Sequence, residues 1–260
     1  MKYLNDVKTS ECLGKVLKSK NFGAFKVVDV ESSKNITVEF LDTGYRKNVE
    51  IKEVKTGSVK DLYRPTIFGV GFCGEKYPLS FHADGKCVTT PEYERWRGML
   101  RRCYSEAERH KNPTYKGCTV SEKFKSYEFF YEWYNKQVGC DQNWCLDKDL
   151  LVKGNKHYSE ESCVLLPYEI NTVLVKSDKI RGKYPIGVYF RKQANKFVAQ
   201  INKNTRAQQF LGFYETPEQA FQAYKVAKEE YLKELAEKWK GQIDDRAYQA
   251  LINYEVEITD

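Results

Sequence analysis

The residues that could carry chemistry in this 260-residue chain are few and unevenly placed. Eight cysteines stand at 12, 73, 87, 103, 118, 140, 145 and 163, with no Cys-x-x-Cys pair; Cys140 and Cys145 are the closest two. Structural zinc is usually held by tighter ligand pairs. Free thiols, mostly buried, in a reducing compartment are therefore expected, with a zinc built from Cys140, Cys145 and distant partners as the alternative. Of the three histidines, His82 and His110 belong to no motif. Between 181 and 214 the chain carries Arg181, Lys183, Arg191, Lys192, Lys196, Lys203 and Arg206 and no acid, interleaved with Tyr184, Tyr189, Phe190, Phe197 and Phe210. Cations among aromatics suit a polyanion surface, and a solvated face of a small sheet fits them equally well. A second cluster, Arg95, Arg101 and Arg102, falls largely off the apolar stripe Tyr93, Trp96, Leu100 and Cys103, where arginines suit phosphate contacts or simply solubilise the helix.

Composition limits what must position these groups. Lys plus Arg number 43 against 36 Asp plus Glu, a net charge of +7. Hydrophobic residues at 41% and charged ones at 30% are ordinary for a folded domain. Aromatics at 14% are too many for a solvated chain. The mean hydropathy is -0.66, and no apolar run approaches the roughly 18 residues of a membrane helix. The stretch Met1-Lys2-Tyr3-Leu4-Asn5-Asp6 has no apolar core of a secretory signal, so none is expected.

Three segments are expected: 1–66, 67–180 and 181–260. In the first, Phe25–Val30, Ile36–Phe40 and Val49–Ile51 alternate between turn residues and predict strands; short strands at this spacing predict a small SH3-like β-barrel. The second opens with Gly69-Val70-Gly71 and Gly74, read as turns rather than a phosphate loop. Pro91 then starts a helix through Cys103. A second aromatic helix is expected from Phe124, Tyr127, Tyr131 and Tyr134 at helical spacing, with both aromatic stripes serving as core. In the third, Ile186–Arg191, Phe197–Asn202 and Gln208–Tyr214 predict three strands. Thr216-Pro217-Glu218-Gln219 follows as a helix start with a near capping box, and the tail from Gln242 reads as another short helix. The fold class is α+β.

The third segment resembles an AP2 domain through Gly187-Val188, Ala199, Ile201, Leu211-Gly212-Phe213, Thr216, Glu218, Ala220, Ala223-Tyr224 and Ala227. That resemblance implies a three-stranded sheet on one helix, binding double-stranded DNA through the outward face of the sheet. The positions it carries over are Tyr189 and Arg191, Gln200 and Asn202, and Gln208 and Phe210, with Lys192, Lys196 and Arg206 as accompanying cations. Plant-type members place arginines and tryptophans at several of these sites. Gln and Asn match adenine edges where Arg matches guanine, so a different target is implied.

The second segment resembles a phage HNH module of homing endonucleases, often joined to an AP2 domain. The resemblance rests on 93–104, Trp144-Cys145-Leu146-Asp147-Lys148-Asp149, Tyr158-Ser159-Glu160 and Glu169-Ile170-Asn171. It implies a strand–loop–strand–helix site for metal-assisted hydrolysis with Mg2+ or Mn2+. Asp147 and Asn171 match the metal-ligand positions. Lys148 stands where the family has its general-base His, and Ser162 where it has the orienting Asn. A lysine beside a carboxylate stays protonated near neutral pH, making a poor water activator and a good phosphate partner. His157 and Asp149 are the substitute bases to consider, although an exposed loop position is the expected place of His157.

These resemblances imply a double-stranded DNA-binding protein on an endonuclease scaffold, with cleavage weak or lost. Two alternatives stay open: an active, metal-dependent nicking endonuclease, and a phage factor that inhibits a host protein complex through its N-terminal module. The expected setting is the cytoplasm of a phage-infected bacterium, without membrane attachment.

Overall fold

A computed structural model describes residues 11–175, 182–203 and 208–258. Its elements are mixed α and β, gathered in several small sheets. Among the described residues no helix is long and apolar enough to cross a membrane. The chain forms two compact units, one of residues 1–116 and 122–131 and the other of 117–121 and 132–260. This division differs from the three segments read from sequence.

The first unit begins with four strands, β1 (Val16–Ser19), β2 (Gly23–Ser32), β3 (Asn35–Phe40) and β4 (Arg46–Val49), paired antiparallel in that order. Period-2 alternation puts Phe25, Val27, Ile36, Val38 and Phe40 in one core, with Phe25 and Phe40 in register and their rings 5.7 Å apart. Among the described residues the expected SH3-like barrel is not closed. The sheet is open, with β1 and β4 as its edges. The expected strand Val49–Ile51 stops at Val49 because Glu50 becomes the cap of helix α1 (Ile51–Thr56). The Glu53 carboxylate accepts the Glu50 backbone N–H at 3.1 Å, and Val54 and Val59 then join the core of the open sheet.

Ile67 and Gly71 exchange backbone hydrogen bonds in a tight turn, as the glycines suggest. A hairpin of β5 (Ser80–Ala83) and β6 (Lys86–Thr89) follows. Helix α2 (Pro91–Tyr104) has Pro91 at its first position and Thr90 as cap, and it buries Trp96, Met99, Leu100 and Cys103. The Trp96 indole N–H donates to the Phe124 carbonyl at 2.8 Å. After α3 (Glu106–Lys111), the expected second aromatic helix is shorter than its spacing suggests. Phe124 lies in a 3-10 turn, Ser126 is extended, and α4 spans only Tyr127–Tyr134. Its aromatics are core all the same: Phe124, Tyr127, Phe130 and Tyr134 are fully buried.

The second unit pairs β7 (Thr119–Val120) parallel with β9 (His157–Tyr158), and β8 (Cys145–Asp147) antiparallel with β10 (Val164–Leu166). Helix α5 (Tyr168–Leu174) follows β10 and packs near β8. A three-stranded antiparallel sheet comes next, of β11 (Val188–Arg191), β12 (Lys196–Ile201) and β13 (Gln209–Tyr214), followed by α6 (Pro217–Lys238) and α7 (Asp245–Ile252). One core holds Val164, Leu166, Ile170 and Val173 together with Ile201, Phe221, Tyr224 and Leu232. That shared burial explains why no boundary falls near 180.

Local sequence accounts for much of this unit. Thr216 and Gln219 form a reciprocal capping box around Pro217 at the start of α6. Strand β11 starts at Val188, two residues later than expected, because Gly187 has φ +76° and turns the chain. Any Cβ there would stand 2.0 Å from the Tyr224 ring, so glycine allows α6 to pack closely under the sheet.

Candidate nucleic-acid interface

The ββα segment is where the metal ligands and base were expected. Asp147 ends β8, and its Oδ1 accepts the backbone N–H of Asp149 at 2.9 Å and of Leu150 at 2.7 Å. Burial pushes its carboxyl above the ordinary range, with these two N–H donors partly opposing the shift. The carboxylate thus shapes the turn after β8. Lys148 is 5% exposed. Its ammonium donates to the Asp149 carboxylate and, at 2.6 Å, to the Asn155 carbonyl, and lies 5.6 Å from the Tyr158 ring centre. Asn155 returns a hydrogen bond to the Lys148 carbonyl at 2.9 Å.

The substitutes are engaged elsewhere. His157 is exposed, with Nδ1 at 2.8 Å from the Thr119 hydroxyl on the neighbouring strand. Asp149 serves as the partner of Lys148. Ser162 donates to the His157 carbonyl at 3.0 Å and meets the Ser159 hydroxyl at 3.0 Å, closing a turn. Asn171 is half-buried on α5. Nearby Cys163 is buried, its thiol pushed up to about 12 by that burial. This donor set fits a divalent cation poorly. One Asp147 oxygen already holds two N–H groups, and the next residue brings a buried ammonium, which repels a dication.

The sheet of β11, β12 and β13 presents a different picture. Residues opposite one another in an antiparallel ladder share a face. Val188 pairs with Ala199 and Ile201 enters the core, so this face lies toward α6. The alternate residues face outward in rows. Tyr189, Val198 and Phe213 make one row, and Gln200 with Phe210 makes the next. Arg191 pairs with Lys196 at the far end. Asn202 and Gln208, just beyond the strand ends, are exposed. Six of the positions expected to face DNA therefore lie along or beside one surface: Tyr189, Arg191, Gln200, Asn202, Gln208 and Phe210.

The cations around this surface differ in availability. Lys192 is exposed in the turn after β11, and the Arg191 guanidinium lies 5.8 Å from the Phe213 ring centre. Lys196 is paired with Glu215, and Lys203 with Glu234 at 3.2 Å, both at partly exposed positions. Arg181 and Arg206 lie outside the described residues. In the other unit, Arg101 pairs with Glu108 at 3.5 Å, the Arg102 guanidinium lies 5.8 Å from the Tyr115 ring, and Arg95 is half-buried.

Phe213 was not anticipated on this face. Simple alternation from Phe210 would turn it inward. The register slips at Leu211, so that Gln200 pairs with Phe210 while Ala199 pairs with Gly212. Gly212, at φ +147°, accommodates the bulge. Its glycine was the available clue. Comparison of the chain with family models, curated proteins and solved structures found no match.

Proposed function

We propose that this chain binds double-stranded DNA through the outward face of the β11–β12–β13 sheet, and that its ββα segment supports that surface rather than cutting DNA. The observation that carries this reading is the register, which gathers Tyr189, Arg191, Gln200 and Phe210 on one side while α6 supports the other. Lys192 and Arg191 suit phosphate contacts that position the protein; Gln200, Asn202 and Gln208 suit base edges, with Gln and Asn favouring adenine. A major groove about 12 Å wide admits a strand pair, and neighbouring strands lie about 4.8 Å apart.

The inward placement of Lys148 and the turn-forming duty of Asp147 support weak or absent cleavage. Mg2+ or Mn2+ then belongs to the alternative, a nicking endonuclease using Asp147 and Asn171. A bacteriophage origin, and the likeness of the two parts to HNH and AP2 modules, remain part of this proposal.

The test is duplex binding followed by fluorescence anisotropy as salt is raised. Phosphate neutralisation releases counterions, so affinity should fall steeply with salt. Arg191→Ala and Lys192→Ala should each weaken binding and flatten that dependence. Salt-independent binding, or variants that bind like the parent, would contradict the assignment.

A further inference from the structure

The outward face carries an apolar element that charge and hydrogen bonding leave unexplained. Phe210 and Phe213 are 54% and 45% exposed, and their rings meet edge to face at 5.1 Å and 64°. Val198, in register between Tyr189 and Phe213, is fully buried although it belongs to this outward row. The patch therefore has a closed floor and two raised rings. Exposed aromatics on a sheet commonly stack unpaired bases, but stacking needs open ring faces. Here one ring leans on the other, and the Arg191 guanidinium lies over Phe213 at 5.8 Å. With part of the ring surface taken up in this way, the exposed remainder forms a compact apolar patch that suits a small apolar group. In the major groove that group is the thymine C5-methyl, which aromatic and aliphatic side chains contact.

The neighbours fit the same base pairs. Gln200 is the register partner of Phe210, so an adenine reader stands beside a methyl reader. The rows of Val198 and Gln200 are two residues apart along β12, about 6.7 Å, which spans two base-pair steps of about 3.4 Å. Arg191 and Lys192 border the patch with positive charge, complementary to the duplex backbone.

We infer that Phe210 and Phe213 read thymine methyl groups in the major groove, with Gln200 reading adjacent adenine, making A·T-containing duplex DNA the substrate class of this surface. The inference rests on the proposed DNA-binding reading. The experiment compares binding of the full chain to a short duplex of mixed A·T sequence, the same duplex with deoxyuridine for thymidine, a G·C duplex, and single-stranded oligothymidylate. The thymidine duplex should bind best. Removing the methyls should weaken binding by about fourfold for each one contacted, and the Phe210→Ala, Phe213→Ala double variant should show no such difference. Both side chains are exposed, so the variant should keep its melting transition; Phe213→Leu, still apolar, should retain the methyl preference.

Equal affinity for thymidine and deoxyuridine duplexes would overturn the inference while leaving duplex binding intact. So would a methyl preference that survives in the double variant, because DNA shape would then be its source. Tighter binding to the G·C duplex would overturn it, as would tighter binding to oligothymidylate, which would mark a base-stacking surface. Failure to bind any duplex would overturn both the inference and the reading beneath it.

Discussion

Lys148 and Asn155 hold each other. The lysine ammonium donates to the Asn155 carbonyl at 2.6 Å, and the asparagine side chain donates to the Lys148 carbonyl at 2.9 Å. Asn155 also donates to the His157 carbonyl at 2.6 Å and accepts the His157 N–H at 2.8 Å. The loop joining β8 to β9 is thus closed by one amide and one buried cation. Lys148, buried and bonded on both sides, is part of that closure.

Removing the amide should therefore cost stability. Asn155→Ala strands two backbone carbonyls and an N–H, and we expect a loss of about 2 kcal/mol in denaturant unfolding. Lys148→His should produce no cleavage, since this position faces inward. A plasmid assay checks the second point.

Asp147 separates structural from catalytic duty. Asp147→Ala leaves the N–H groups of Asp149 and Leu150 without their acceptor, and should lose about 1–3 kcal/mol. Asp147→Asn keeps an oxygen in place. The native carboxyl titrates above its unfolded value of 3.8, so its ionised form opposes folding at neutral pH and its contribution improves as pH falls toward 3.8. Asp147→Asn should accordingly match or exceed the parent stability at neutral pH, with DNA affinity unchanged. Thermal melts and anisotropy read both.

Lys228 supplies a pH signature. Its ammonium donates to the Val173 carbonyl at 2.6 Å, and burial holds its pKa down to about 8 against the ordinary 10.5. Between those values the unfolded chain retains a proton that the native chain has released. Stability from this group therefore rises with pH across about 8 to 10.5, by up to about 1.4 kcal/mol per pH unit. The Lys228→Met protein should lack that increment. Urea melts of both proteins at intervals across this window give it as a difference.

Two positions test how α6 is placed. Thr216→Ala removes the cap that accepts the Gln219 N–H at 3.2 Å and should lose about 1 kcal/mol. Gly187→Ala introduces a Cβ against the Tyr224 ring at a φ of +76°, and should lose more than about 2 kcal/mol. Circular dichroism melts rank them; the reverse order would contradict the close approach of Gly187 to the Tyr224 ring.

Much of the sheet-and-helix part was legible because its determinants are local. Thr216, Pro217 and Gln219 specify a helix start within four residues, and the apolar alternation of 186–214 specifies strands. Other features turned on alternatives that the local sequence leaves open until the fold has packed. Glu50 could continue a strand or cap a helix, and Glu53 together with burial of Val54 decides for the helix. Phe124 kept helical spacing but lies in a 3-10 turn outside α4, and its carbonyl accepts the Trp96 indole N–H from another helix. The outward turn of Phe213 depends on a one-residue slip that alternation does not reveal. Motif spacing likewise located Asp147 and Lys148, while their inward hydrogen bonds arise only once the loop to Asn155 has closed.

DNA binding without cleavage is read most directly from one gel of supercoiled plasmid incubated with the purified protein at low salt, with Mg2+, with Mn2+ and with chelator. Retarded, uncut plasmid in all three conditions, with retardation lost on raising salt, is the expected result. Plasmid that is not retarded, or metal-dependent nicking abolished by Asp147→Asn, would contradict it.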